Sequence, residues 1–294
     1  MITELKSDIL HEVIQKRPVD SNKTNFGRVL LIGGNKSLGG AILLAAAATV
    51  NAGAGLTTVA TDPTNIAALH VRTPEAMAID WNDAQQLGEQ LEKSDVILIG
   101  PGLGRDDLAL QLLQTVIFGV HKNQKLIVDG DGLTLMAQNN IFFPTNTYSI
   151  ATPHQGEWES LSNIMVKYQS NMMEMNELQR QNLNLDVLVI KQHHTLIMSE
   201  DRQMQLQIGG PYQATGGMGD TLAGMVAGFV AQFAEPRRAT EAAVYAHTAI
   251  AEQLAAHNWV VKPSLVADFL PNYMSSIQTN LVGNPGADDK MVQF

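Results

Sequence analysis

The chain has no cysteine. Disulfides, thiolate metal ligands and cysteine nucleophiles are therefore excluded. Charge is scarce as well: Asp, Glu, Lys and Arg make up 16% of the 294 residues, against roughly 25% in ordinary soluble domains. With 45% hydrophobic residues, a large core is implied, and some apolar surface is expected to be buried between copies of the chain, as in a homo-oligomer. Cations are the scarcer charge. Nineteen Lys and Arg against 29 Asp and Glu give a formal net charge of −10. That balance disfavours nucleic-acid partners. It also means that an anionic ligand must be held by local N–H groups and a few lysines. No apolar run reaches the roughly 20 residues that span a bilayer. Residues 41–50 form a long run, but Gly39-Gly40 precedes it and Asn51 and Gly53 follow, as suits a buried helix. Residues 1–20 mix charged and apolar positions without a signal-peptide core. A cytoplasmic protein with no membrane partner is expected.

Short apolar runs at 29–32, 56–60, 96–99, 126–128, 148–151 and 187–190 alternate with helical patterns. Continuous rather than alternating runs suit strands covered on both faces, as in a mainly parallel sheet. The spacing predicts helices over 38–51, 221–232, 239–256 and 263–273, and an amphipathic Met- and Gln-rich helix over 169–181. It also predicts a hairpin of 195–198 and 204–208 that turns at Glu200-Asp201. No composition break or internal repeat divides the chain. One α/β domain over 1–280 is expected, followed by a loose polar tail over 281–294.

The turns that follow the strands are more informative than the strands. Gly33-Gly34, 100–104, Asp129-Gly130-Asp131, 152–157 and 191–195 all come directly after predicted strands. In open α/β sheets that rim is where ligands bind. The richest turn is Thr215-Gly216-Gly217-Met218-Gly219-Asp220, at a helix start. Small residues there let backbone N–H groups converge on an anion, and the helix N-terminus adds partial positive charge. A carboxylate would repel phosphate, so Asp220 is better placed to take a proton from a hydroxyl about to meet one. Nest and base together point to phosphoryl transfer onto an alcohol. The plainer alternative is a glycine turn with Asp220 as a helix cap.

Other candidates each have an ordinary alternative. Gly33-Gly34-Asn35-Lys36 with Gly39-Gly40 contains neither G-x-G-x-x-G nor a Walker pattern, which disfavours a dinucleotide oxidoreductase. Backbone at Gly40 and Ala41 could still approach a large ligand, or merely form a tight turn. His154 and Glu157 share the first turn of a helix starting near Gln155. Glu157 could hold a water of Mg²⁺, or simply complement the helix dipole. Lys191 could meet a phosphate, with Thr195 four residues on. His193-His194 lacks a third ligand nearby, and neighbouring strand residues point to opposite faces, so a metal site is discounted. Asp129 is open between ligand binding and capping, and Asp131 reads as structural. His247 reads as a packed or surface histidine.

The segments GRVLLIGGN, GGAILLAAAATVNAGAGLTTVAT, VILIGPGLGRD, LIVDGDGL, ATPHQGEWESL, VLVIKQHHT and ATGGMGDTLAGMVAGFVAQ follow one another from Gly27 to Gln232. Together they resemble the ADP- or ATP-dependent NAD(P)H-hydrate dehydratases of the ribokinase-like superfamily. The resemblance covers most of the chain. It implies a three-layer α/β/α fold with a mainly parallel sheet and no separate lid. It also implies a repair reaction, in which ADP or ATP with Mg²⁺ phosphorylates the added hydroxyl of (S)-NAD(P)H hydrate and phosphate then leaves. By resemblance, Asp220 is the base, and Gly216 to Gly219 form the anion hole, Gly217 and Gly219 among them. Gly219 also touches nucleotide. Ala41, Gly104, Gly102 and His154 match substrate positions. Lys191, Gln192, His193, His194 and Thr195 match the segment that holds the AMP portion. Glu157 matches the acid of a magnesium-water motif.

The chain departs from the family at several positions. Gln192 stands where relatives carry glycine, Gln155 where they carry proline, and Met218 where they carry threonine. The epimerase domain that many bacterial relatives carry is absent from this sequence, so a separate epimerase is the expected pathway partner. A homotetramer is the oligomer that the resemblance suggests. Two rivals stand beside this reading: a related kinase of a vitamin-precursor alcohol, and a nucleotide sensor that has lost turnover.

Overall fold

A computed structural model of the protein describes residues 2–281; the expected tail lies outside the described residues. One sheet is built from β1 (Ile2–Glu4), β2 (Arg28–Ile32), β3 (Leu56–Thr61), β4 (Met77–Asp80), β5 (Val96–Ile99), β6 (Lys125–Val128), β7 (Tyr148–Ala151), β8 (Val187–Ile190), β9 (Leu196–Ser199) and β10 (Gln203–Gln205). Its order is β1-β10-β9-β8-β7-β6-β5-β2-β3-β4. From β4 across to β8 every pairing is parallel. β9 runs antiparallel to both β8 and β10, and β1 pairs parallel with β10.

The continuous apolar runs are buried on both faces, as expected of interior parallel strands. In β2, Val29 and Leu31 enter one core layer and Leu30 and Ile32 the other. The first layer contains α1 (Asp8–Val13), α2 (Gly39–Ala52), α3 (Ile66–Arg72), α10 (Met218–Gln232), α11 (Pro236–Ala255) and α12 (Pro263–Leu281). The second contains α4 (Ala84–Lys93), α5 (Asp107–Gly119), α6 (Asp131–Asn139), α7 (Gln155–Ser162) and α9 (Met173–Asn182). The expected three-layer, mainly parallel architecture is therefore present. Among the described residues no helix is long and apolar enough to cross a membrane.

The strands not anticipated are the two edges. β1 is exposed along its whole length and β4 buries only Ile79, so neither shows the two-sided burial that reveals the interior strands. The helix expected over 169–181 is divided into α8 (Val166–Gln169) and α9, because Gln169 turns its side chain inward. α12 runs beyond 273, with Pro271 inside it. α10 starts at Met218, three residues earlier than the apolar pattern suggested, because Gly219 and Asp220 interrupt that pattern in its first turn.

Close packing of small side chains fixes where α10 begins. A side-chain carbon on Gly224 would lie 2.2 Å from the Ala45 carbonyl oxygen, and one on Gly228 would lie 2.5 Å from Ala52 Cβ. Thr49 Oγ1 donates to the Gly224 carbonyl at 2.9 Å and to the Ala45 carbonyl at 2.8 Å. α2 and α10 thus touch backbone to backbone, and the turn before α10 is held against the sheet's carboxyl edge. Gly224→Val should lower stability by about 3 kcal/mol, because the clash is with main chain that cannot yield. Denaturant unfolding measures this, and an unchanged midpoint would contradict the packing.

Candidate active site

Three strand ends meet at one ion pair. Lys191 follows β8 directly, and its N–H donates to the Pro153 carbonyl at 2.8 Å. Its Nζ donates to Asp129 Oδ1, just past β6, at 2.6 Å. Thr152, just past β7, donates its hydroxyl to the same oxygen at 2.8 Å. Asp129 is buried and its side chain is 3% exposed, against 19% for Lys191. β6, β7 and β8 are thereby joined at the rim where the glycine-rich turns were expected to converge.

The neighbouring turns lock onto this frame. Asp131 opens α6 and accepts from the Gly104 N–H at 3.0 Å and from Arg105 Nε at 2.8 Å. The structural role expected of it is thus to anchor the 100–105 turn. That turn lies against the start of α2: the Asn35 N–H donates to the Gly102 carbonyl at 2.7 Å, and a side-chain carbon on Gly102 would sit 3.0 Å from Ala41 Cβ. Ala41, Gly102 and Gly104, named together by resemblance, border one rim.

His154 and Glu157 cap α7 reciprocally. His154 Nδ1 accepts from the N–H groups of Gly156 at 3.0 Å and Glu157 at 3.1 Å, while Glu157 Oε2 accepts from the His154 N–H at 2.7 Å. A nitrogen that accepts carries no proton, so His154 is neutral with its proton on Nε2. That nitrogen lies 3.4 Å from Glu157 Oε1. Burial, then the Lys191 charge, holds the His154 pKa below its usual value.

The turn before α10 completes the site. Gly217 has φ +92°, a left-handed conformation that a side chain would strain. Among the described residues, nothing accepts from the N–H groups of Gly216, Gly217, Met218 or Gly219. A side-chain carbon on Gly219 would lie 3.0 Å from Lys191 Nζ, so the ammonium abuts the turn. Asp220 sits in the first turn of α10, and its carboxylate accepts no hydrogen bond from the described residues. The capping alternative therefore does not hold.

Electrostatics separates the carboxylates by role. Lys191 touches Asp129, and its charge also acts on Glu157 and Asp220. Burial alone would pull its ammonium down, but these three acids outweigh it and the net displacement is upward. Asp129 takes the direct contact. Burial pushes Glu157 up to about 7, with Lys191 opposing and Asp129 adding. Burial likewise pushes Asp220 up to about 6, with Asp129 adding and Lys191 opposing.

Behind the turn lies His247 of α11, 4% exposed. Burial lowers its pKa to about 4, against the opposing pull of a hydrogen bond to the Met218 backbone. Its Nε2 is buried without a partner. It is packed, as the plainer sequence reading held, but packed against the anion turn. The sequence offered no signal for that contact, or for the Asp129–Lys191 pair.

Residues 192–195 form the rim beside Lys191. The expectation that His193 and His194 point apart along a strand is corrected: β8 ends at Ile190, and the two rings meet edge to face with centroids 4.0 Å apart. His194 has φ +62°, and its Nδ1 lies 3.0 Å from the Leu206 carbonyl. Among the described residues no group of three or more His, Asp or Glu is arranged to hold a metal directly.

The three-layer fold with its mainly parallel sheet is that of the ribokinase-like class. A crystal structure of a ribokinase-like superfamily protein from Enterococcus faecalis matches with a TM-score of 0.90 and 44% identity, covering 94% of this chain and 96% of that one. Within the class, the NAD(P)H-hydrate dehydratase family model matches residues 29–272, and the chain belongs to that family. The ADP-dependent (S)-NAD(P)H-hydrate dehydratase of Lactiplantibacillus plantarum is 47% identical over 270 residues, 92% of this chain and 96% of the relative. The ADP/ATP-dependent NAD(P)H-hydrate dehydratase of Bacillus subtilis, co-crystallised with ATP/Mg²⁺, has a TM-score of 0.84 at 26% identity, covering 94% of this chain and 99% of that one.

An acid whose native pKa is raised contributes stability that is full below its unfolded value and is lost as pH rises through the native one. Asp220 should therefore weaken the fold progressively as pH rises from its ordinary value of 3.8 to about 6, the value it is pushed to, and fully above that. Asp220→Asn should raise the melting temperature at pH 8 more than at pH 5. Calorimetry at the two pH values checks this, and an equal or opposite change would place the carboxylate in water.

Proposed function

We propose that the chain catalyses nucleotide-dependent dehydration of (S)-NAD(P)H hydrate to NAD(P)H, acting through residues 1–280 as one domain. The observation that carries the reading is the Asp220 carboxylate, unpaired, raised to about 6 and next to a turn of unpaired amides. At neutral pH such a group is mostly ionised yet basic enough to take a proton, which is what a general base requires. Asp220 removes the proton of the ring hydroxyl as its oxygen attacks the terminal phosphorus of ADP or ATP; the bond from that phosphorus to the bridging oxygen breaks, and AMP or ADP leaves with the electron pair. The N–H groups of Gly216 to Gly219 and the Lys191 ammonium receive the negative charge that spreads over the transferring phosphoryl oxygens. The C–O bond of the resulting phosphate ester then breaks, and phosphate leaves with its electron pair. Loss of a proton from the adjacent ring carbon restores the double bond. Phosphate is a far better leaving group than hydroxide, and this is the chemical reason a nucleotide is consumed.

Ala41, Gly102, Gly104 and His154 border the substrate on this reading, with the neutral His154 offering Nε2–H to it. Lys191, Gln192, His193, His194 and Thr195, with Gly219, hold the nucleotide. The donor set fits Mg²⁺ bound mainly by nucleotide oxygens and water, since Glu157 is a buried acid raised to about 7 that gains from any added cation. Bound there, Mg²⁺ would neutralise phosphate charge. A cytoplasmic setting, a homotetramer and a separate epimerase that supplies the S form complete the proposal.

Incubation with hydrated NADH, Mg²⁺ and either nucleotide should regenerate the absorbance of the reduced ring and release phosphate. Asp220→Asn should lower kcat by about 100- to 10,000-fold while nucleotide still binds. Accumulation of a stable phosphorylated product would identify a kinase instead. Nucleotide binding without turnover of any alcohol would identify a sensor.

A further inference from the structure

A line of side-chain amides outside the reacting groups runs from the second helical layer to the nucleotide segment. It begins at Trp158 of α7, fully buried, whose indole N–H donates to Asn176 Oδ1 at 2.7 Å. An indole can only donate, so it dictates which way the Asn176 amide faces. Asn176 Nδ2 then donates to the Gln169 carbonyl at 2.6 Å. Gln169 is 1% exposed, and its Nε2 donates to the carbonyls of Gln155 at 2.8 Å and Ile164 at 3.0 Å. Its Oε1 is buried without a partner. The side chain is thus turned by the two carbonyls it serves, at the expense of its own acceptor. The line ends where Gln155 Nε2 reaches across to Gln192 Oε1 at 3.2 Å.

That last bridge spans the ends of two neighbouring strands. Gln155 opens the helix after β7, and Gln192 is the second residue after β8. On its other side the 192–195 segment is held by Leu206, whose N–H donates to the Thr195 carbonyl at 3.0 Å and whose carbonyl lies 3.0 Å from His194 Nδ1. On the α7 side, Gln155 makes the one side-chain bridge to 192–195 among the described residues. The segment contains His194 at φ +62°, a left-handed conformation that is strained for a residue with a side chain and persists only where neighbours impose it.

We infer that Gln155 is a positioning residue for the nucleotide: through Gln192 it holds residues 191–195 in their binding shape before an adenine nucleotide arrives, and the Gln169–Asn176–Trp158 line holds Gln155. The inference rests on the reading of that segment as the nucleotide site. Preorganisation of this kind strengthens binding without touching the chemical step.

The test separates nucleotide from substrate. Gln155→Leu and Gln192→Leu should each raise the nucleotide KM about three- to tenfold, the effect of one net hydrogen bond. For Gln155→Leu, which lies outside the residues that hold the nucleotide, the kcat and the KM for hydrated NADH should stay within about twofold. Because the two side chains share one bond, the double variant should be no worse than the worse single one. Both residues are partly exposed, so each variant retains the core. An unchanged nucleotide KM, equal changes in both KM values, or additive effects would overturn the bridge. His193→Ala, at an exposed position of the segment outside both the bridge and the ion pair, distinguishes the two levels. If it alone raises the nucleotide KM, only the bridge fails. If it too leaves that KM unchanged, the nucleotide segment is misassigned and the proposal falls with it.

Discussion

The site depends on the ion pair between Lys191 and Asp129. Removing one partner of a buried pair costs about 3–5 kcal/mol, because the other is left charged and unpaired. Here the pair also does geometric work. It brings the ends of β6 and β8 together, with Thr152 of β7 hydrogen bonded to the same carboxylate oxygen. It also stations the ammonium against Gly219, at the positive end of α10. The anion turn and the strand rim are thus parts of one electrostatic unit.

One cation among several acids has a chemical consequence. Asp129 takes the short contact, and the two acids left over, Glu157 and Asp220, are raised by burial to about 7 and about 6. The side chains of the site are therefore rich in acids and short of positive charge. A base poised near neutrality is what remains when a carboxylate is buried and its best partner is already engaged. The same desolvation that makes Asp220 basic makes it a burden on the fold, the usual relation between a reactive group and the scaffold that holds it.

Much of this was legible in the sequence, for identifiable reasons. Runs such as Val96–Ile99 and Val187–Ile190 are apolar at every position because both faces of the interior sheet are covered, and that pattern needs no partner to be recognised. The 215–220 turn was legible because three glycines and an acid at a helix start have few ordinary uses. Edge strands β1 and β4 were not legible, since an exposed edge has no pattern to display. The Asp129–Lys191 pair joins residues 62 apart in sequence, and only the strand order brings them together. Gln155 and Gln192 each stood out singly as departures from the family; that they touch is a fact of tertiary structure alone.

The most direct measurement of the central claim is a crystal structure of the Asp220→Asn protein with hydrated NADH and a non-hydrolysable ATP analogue. The account predicts the ring hydroxyl within about 3.2 Å of the residue-220 side chain, a reach that proton transfer requires, with the terminal phosphate over the amides of Gly216 to Gly219. A hydroxyl bound beside Glu157, with residue 220 turned away from both ligands, would contradict it.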